Sequence, residues 1–319
     1  MKPVLLVTRK LPEPVEARIA AGYDARFNRD GAPLGSEALI AQAAGADGIL
    51  CTILDRLSAP VIAALPASLR IIATFSVGAD HIDLQAAKAR GIAVTNTPGA
   101  LTEATADIAF LLLLGAARRA QEGETLVRSG AWRGWTPTQL LGAELYGKRL
   151  GIVGMGRIGQ AMARRAQGFG LELHYTGRRP RDLPAGLTAC YHPSEDTFLP
   201  LCDFLSLHLA SAPETRRWLN GARIARLPKG AIVVNSARGD LVDDEALIAA
   251  LRSGQVAAAG LDVFSGEPDI DPRYRTLANT MLLPHLGSAT VETRCAMGFR
   301  ALDNLDAFFA GAALPDRIA

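Results

Sequence analysis

Along nearly all of its 319 residues the chain alternates short apolar runs with helical patterns, an alternation satisfied by parallel sheets covered with helices on both faces. From residue 1 to about 98, "PVLLVT", "ADGILCT", "RIIATFS" and "IAVTNTP" read as strands, and "VEARIAAG", "SEALIAQAAG", "SAPVIAALP" and "DLQAAKARG" as helices. A second series begins at Lys148, where "KRLGIVG", "LELHYT", "DFLSLHL", "AIVVNSA", "AAAGLDV" and "TMLLPH" read as six strands, the count of a complete dinucleotide fold. Between the series, "ATADIAFLLLLGAA" is shorter than the roughly 20 residues a bilayer needs and carries Asp107, so it reads as a buried helix. A less regular segment, about 121 to 147, follows it and contains Trp132 and Trp135. Aromatics in such an arm serve either partner contact or packing. From about Ser288 the chain turns helical again.

Within this pattern "RLGIVGMGRIGQAMARR" places Gly154, Gly156 and Gly159 at the spacing G-x-G-x-x-G, directly after a predicted strand and opening a predicted helix. Gly154 makes the tight turn, Gly156 lets the backbone approach a pyrophosphate, and Gly159 lets helix and strand pack closely. The helix N-terminus offers N–H groups and partial positive charge to phosphates. A bare glycine motif also fits a tightly packed βα turn, but strand, motif and helix in register within a six-strand series point to a dinucleotide. About 20 residues beyond the motif an acidic side chain ordinarily accepts the adenosine ribose hydroxyls of NAD. Here that position falls on Thr176 and Gly177; Glu172 comes too early and Asp182 too late. Arg178 and Arg179 occupy the turn instead, where guanidinium forks suit a 2′-phosphate. NADPH is therefore the expected cofactor and NADH the alternative; the competing reading makes both arginines solvated loop residues.

Composition limits the partners. Lys plus Arg number 34 against 32 Asp plus Glu, too even a balance for nucleic acid or an acidic membrane to be the default ligand. A small molecule is the better expectation. Cys51, Cys190, Cys202 and Cys295 form no C-x-x-C pair and show no neighbouring histidine cluster, which predicts reduced thiols, a cytoplasmic setting and no metal site. The start, "MKPVLLVTRKLPEPVEARI", has too short an apolar run for a signal peptide, so no cleavage is expected. His174 and His192 read as structural or exposed, and His81 as non-catalytic.

Three polar residues follow apolar strands at their carboxyl ends, where open α/β sheets bind ligands: Arg238 after "AIVVNSA", Glu267 after "AAAGLDV" and His285 closing "TMLLPH". Singly, each has a structural or solvated reading. Together they amount to a proton donor, a carboxylate to orient it and a cation for an anionic substrate.

"GIVGMGRIGQ", "VNSARGDLVDDEAL", "AAAGLDVFSGEP" and "LLPHLGSAT" resemble, in order, the motifs of the D-isomer-specific 2-hydroxyacid dehydrogenases. "TFSVGADHIDL" and "GIAVTNTPGALTEATAD" extend the resemblance over nearly the whole chain, and "SGAWRGWTP" and "YTGRRP" look most like the glyoxylate and hydroxypyruvate reductase branch. The resemblance implies two doubly wound α/β domains: a discontinuous, flavodoxin-like substrate domain (1–98 and 288–319) and an inserted Rossmann cofactor domain (99–287). It implies an active site in the cleft between them, a dimerisation arm at 121–147, and NADPH-dependent reduction of small 2-keto acids to D-2-hydroxy acids. His285 would be the general acid, Glu267 would hydrogen-bond its ring and favour the imidazolium form, and Arg238 would clamp the substrate carboxylate. Backbone N–H groups of Val77 and Gly78 would hold the carboxylate's other edge, with Ser288 beside His285 and Trp132 or Trp135, Trp135 foremost, reaching a neighbouring subunit's substrate. Thr105, His208, Pro213, Ala237, Asp262 and Gly287 would border the cofactor, together with Met155, Arg157 and Ile158 of the glycine loop. Rival readings are a dehydrogenase of other 2-hydroxy acids, formate or phosphite on the same fold, or a non-enzymatic cofactor-sensing corepressor.

Overall fold

The computed structural model describes residues 2–319. The chain forms two compact units, one running to Leu101 and completed by Ala289–Ala319, the other spanning Thr102–Ser288. In the first, β1 (Val4–Val7), β2 (Asp24–Phe27), β3 (Gly48–Cys51), β4 (Ile71–Thr74) and β5 (Ala93–Thr95) form a parallel sheet of order β2-β1-β3-β4-β5. That is the flavodoxin order. Leu6, Ile49, Ile72 and Val94 point into one hydrophobic layer and Leu5, Leu50, Ile71 and Ala93 into the other. Burial on both faces is why these strands read as unbroken apolar runs. The helix Val291–Phe309 supplies Ala301, Leu302 and Leu305 to the second layer.

In the second unit, β6 (Arg149–Val153), β7 (Glu172–Thr176), β8 (Cys190–His192), β9 (Phe204–Leu207), β10 (Ala231–Asn235), β11 (Val256–Leu261) and β12 (Thr280–Leu282) form a seven-stranded parallel sheet, order β12-β11-β10-β9-β6-β7-β8. Numbered within the unit, this is the dinucleotide order 3-2-1-4-5-6 with a seventh strand added beyond the sixth. The helix Thr102–Ala117 lies in the core with Phe110, Leu112 and Leu113 buried. It approaches β11 so closely that a Cβ on Gly260 would lie 2.8 Å from Leu112 Cβ. Among the described residues no helix is long and apolar enough to cross a membrane.

Each sheet holds one strand more than the sequence pattern predicts. The additional strands, β2 ("DARF") and β8 ("CYH"), are both sheet edges, half-exposed and without a continuous apolar run. The segment 121–147 is also more regular than expected, since a helix occupies Ala120–Arg128. In sequence Cys190 has no histidine cluster beside it; in the fold it does. Parallel pairing of β7 with β8 sets His174 opposite Cys190, with His192 two residues along.

Candidate active site

The sheet order reverses between β6 and β9, and at such a switch point the connections leave in opposite directions and open a crevice at the strands' carboxyl ends. The glycine loop sits there. Gly154 follows β6 with φ of +96°, and an added Cβ would come within 2.8 Å of the His208 carbonyl oxygen just after β9. Gly159 is equally constrained, because its Cβ would fall 2.3 Å from the Gly154 oxygen. Gly156 differs: it caps the helix Arg157–Gly168, is exposed, and a Cβ there would meet nothing within 4 Å. The loop is thus tight where backbone meets backbone and open at the helix N-terminus, whose first N–H groups have no partners within the helix. This arrangement fits a dinucleotide pyrophosphate. Met155 is buried beneath the loop, while Arg157 is exposed and Ile158 half-buried at the start of the helix.

Arg238, Glu267 and His285 follow β10, β11 and β12, three strands adjacent in the sheet. His285 Nδ1 lies 2.7 Å from Glu267 Oε2, and the other carboxylate oxygen of Glu267 accepts the Phe264 N–H at 2.7 Å. Both oxygens being engaged, the carboxylate cannot swing away without losing a backbone bond. The Nε2 of His285 meets no hydrogen-bond partner among the described residues, so the ring is held on one side and available on the other. His285 itself has φ of +57°, a left-handed backbone uncommon for a side chain of its size. Asp262 holds this conformation. Its carbonyl accepts the His285 N–H at 2.9 Å, and its fully buried carboxylate takes the N–H groups of Leu286 and Gly287 at 2.6 and 2.8 Å. Burial raises the Asp262 carboxyl above its ordinary value, which these two bonds partly oppose.

Arg238 is positioned by a residue that sequence reasoning missed. Asn235, fully buried at the end of β10, accepts the Ala237 N–H at 3.0 Å and donates to the Arg238 carbonyl at 2.8 Å. An asparagine bonding the backbone two residues on is a recognised turn signal, so "VVNSAR" carried the information. Gly239 completes the turn, for a Cβ there would collide with Phe264 and Ser265 backbone at 1.9–2.3 Å.

The other expected cofactor residues all fall in the same unit, Thr102–Ser288. Thr105 donates to the Gly287 carbonyl at 3.0 Å, and a Cβ on Gly287 would press on Thr105 and Asp262. Thr176 is buried and donates to the His192 carbonyl at 2.9 Å. Gly177 follows it, and then Arg178 and Arg179 stand exposed, neither engaged by another side chain among the described residues. Pro213 is exposed, and Ala237 and Ser288 are half-buried. Val77 and Gly78 belong to the first unit, after β4, where their N–H groups meet no acceptor among the described residues. Trp135 is 79% exposed in the arm. His81, also of the first unit, pairs with Thr74 at 3.0 Å.

His208 bonds Ser206 Oγ through Nε2 at 2.8 Å, and burial pushes its imidazole down to about 4. In the unfolded chain the same ring titrates near 6.5. The neutral ring therefore contributes stability above that pH, and the contribution is lost as pH falls through 6.5 toward 4. Between pH 7 and pH 5 the protein should lose about 1–2 kcal/mol more than its His208→Gln variant in urea unfolding. Identical pH dependence in the two would show that His208 is not buried as a neutral ring.

Residues 110–287 match the family described as "D-isomer specific 2-hydroxyacid dehydrogenase, NAD binding domain". The chain belongs to the D-isomer-specific 2-hydroxyacid dehydrogenase family. It is 47% identical to a glycerate dehydrogenase of Hyphomicrobium methylovorum, over 98% of this chain and 97% of the relative. It is 43% identical to a glyoxylate reductase of Korarchaeum cryptofilum, over 100% and 96%. Among solved structures, an NADPH-dependent glyoxylate/hydroxypyruvate reductase of Sinorhizobium meliloti, in complex with NADP and malonate, superposes with a TM-score of 0.90 at 35% identity, covering 100% of this chain and 97% of that one. The two parallel-sheet units are those of this dehydrogenase family, and the second is its nicotinamide-cofactor domain. As a 2-hydroxyacid dehydrogenase the protein is an oxidoreductase.

Proposed function

We propose that this dehydrogenase reduces small 2-keto acids, glyoxylate and hydroxypyruvate, to D-2-hydroxy acids with NADPH, with His285 as general acid. The observation that carries the reading is the His285–Glu267 pair: Nδ1 held at 2.7 Å, Nε2 without a partner among the described residues. A carboxylate on one ring nitrogen orients the imidazole and stabilises its positive charge, so the opposite N–H is the proton to give. The reduced nicotinamide, when bound at the glycine loop, supplies a hydride to the carbonyl carbon. His285 then delivers the Nε2 proton to the carbonyl oxygen, and Glu267 balances the imidazolium until that transfer. Arg238, on its Asn235-braced turn, takes the substrate carboxylate and fixes the carbonyl toward His285. Asp262 is a positioning residue for the same loop.

Small substrates are supported by the relatives, which are named for glyoxylate reduction and glycerate oxidation. Glycerate oxidation is hydroxypyruvate reduction run backwards, so the two names describe one chemistry. The cofactor assignment rests on two exposed arginines beyond β7 that no other described side chain engages, and on the NADP bound by the Sinorhizobium reductase. The experiment is steady-state oxidation of NADPH and NADH in parallel with glyoxylate, hydroxypyruvate, pyruvate and a bulkier 2-keto acid. Highest kcat/KM for NADPH with the two smallest polar acids is the expected result. Turnover with none of them would move the protein to formate or phosphite oxidation, or to cofactor sensing.

We also assign the segment 121–147 to a homodimer interface. Val127, Trp132, Trp135, Leu141 and Tyr146 are between 51% and 79% exposed there, a concentration of apolar surface that marks an interaction site. Light scattering should give twice the chain mass, and a monomer would remove this assignment. The four free thiols suit a reducing cytoplasm.

A further inference from the structure

The edge of the cofactor sheet gathers three side chains that the reaction does not use. His174 and Cys190 are paired across β7 and β8, and His192 lies two residues beyond Cys190. Paired residues of parallel strands, and residues two apart on one strand, share a sheet face. The consequence is that two imidazoles and a thiol converge. His174 Nδ1 and His192 Nε2 are 3.0 Å apart, and the Cys190 sulfur joins them in a group whose ligand atoms all lie within 4.8 Å of one another.

We propose that His174, Cys190 and His192 bind a borderline-soft divalent cation, Zn²⁺ foremost, with the fourth position open to water. Two imidazoles and a thiolate are the donor set such ions prefer over hard calcium or magnesium. The geometry is near what is required. Tetrahedral zinc with Zn–N of about 2.0–2.1 Å sets its nitrogens ~3.3 Å apart and a sulfur ~3.6 Å from each. The histidine rings must separate by a few tenths of an ångström, and the sulfur must close by up to about 1.2 Å. Cys190 is exposed at the edge, so a side-chain rotation achieves this without moving the core. His192 is anchored from behind, its ring 5.9 Å from that of fully buried Phe198, and its carbonyl held by Thr176.

Binding exchanges bonds as follows. The thiol loses its proton to solvent, and the sulfur forms a bond to the metal. The imidazole proton lying between the two rings moves to the outer nitrogen of its own ring, and both facing nitrogens donate their lone pairs. The metal exchanges its hydration shell for the three protein donors and keeps one water in the fourth position. One proton is released per ion, and no redox partner is required. The ion would join β8, a three-residue edge strand, to β7.

The test uses the full-length protein, treated with chelator and then titrated with Co²⁺ and with Zn²⁺. Expected are one equivalent bound, a thiolate-to-cobalt charge-transfer band that Zn²⁺ abolishes, protection of one thiol from alkylation, and a melting temperature rising with metal concentration. Cys190→Ser should remove the band, and His192→Gln should weaken binding at least about 10- to 100-fold, the loss that even outer partners of metal ligands cause. Both variants should keep wild-type melting temperature and keto-acid turnover in chelator. Absence of the band, or equal binding by wild type and both variants, would overturn the site and leave a plain histidine–histidine hydrogen bond. Because the readouts are spectroscopic, failure of the keto-acid assays leaves this result independent.

Discussion

Replacing His285 by alanine lowers keto-acid turnover by at least about 100-fold and leaves the dissociation constants of NADPH and NADH unchanged. A positioned general acid contributes roughly 10²–10⁴ in rate, about 3–5 kcal/mol of transition-state stabilisation. The cofactor's phosphates are assigned to the glycine loop after β6, whereas His285 follows β12 at the far edge of the sheet. Loss of a group acting only in the transition state depresses kcat and kcat/KM together. Glu267→Gln should cost less, since the amide still accepts the imidazole N–H but no longer balances its charge, and its reductive rate should depend differently on pH. Turnover of His285→Ala within tenfold of wild type, measured as NADPH oxidation with saturating glyoxylate, would assign the proton to another donor. A parallel loss of cofactor binding would mean that the left-handed turn at 285 had collapsed and taken Asp262 and Gly287 with it.

What could be read in the sequence follows from burial. Strands covered on both faces announce themselves, as the runs "AIVV" and "IIA" do, because side chains buried on both sides of a sheet are mostly apolar. The edge strands β2 and β8 do not: they carry Asp24, Arg26, Cys190 and His192, and only their neighbours in space make them strands. The glycine loop was legible because Gly154 and Gly159 leave no room for a Cβ, and chemistry so constrained writes itself as a motif. Arg238, Glu267 and His285 could be selected by their places at strand ends, but adjacency of β10, β11 and β12 is a fact of topology, as is the 2.7 Å contact between Glu267 and His285. The supports were hidden for a different reason. Asn235 and Asp262 act through backbone groups, so their roles appear only when the turns they hold are seen.

Changing Arg178 and Arg179 together to alanine weakens NADPH binding by about 100-fold and NADH binding by less than about threefold. Each charge-assisted hydrogen bond to a phosphate is worth roughly 1.5–3 kcal/mol, and both guanidinium groups are exposed, which favours the lower figure. Two contacts at that value give about 3 kcal/mol, or about two decades of affinity. NADH has no 2′-phosphate to lose. Nor does the turn hold a carboxylate for the free ribose hydroxyls, since Thr176 and Gly177 stand where an acid would have to be. Removing the arginines therefore erodes a preference without creating the opposite one. Because the contacts face solvent, added salt should shrink the wild-type preference progressively and leave that of the double variant nearly constant. Fluorescence titration of both cofactors at low and high salt measures all four quantities. Equal losses for NADPH and NADH would mean that the arginines hold the shape of the turn, and cofactor choice would then have to be sought in the residues around Thr176.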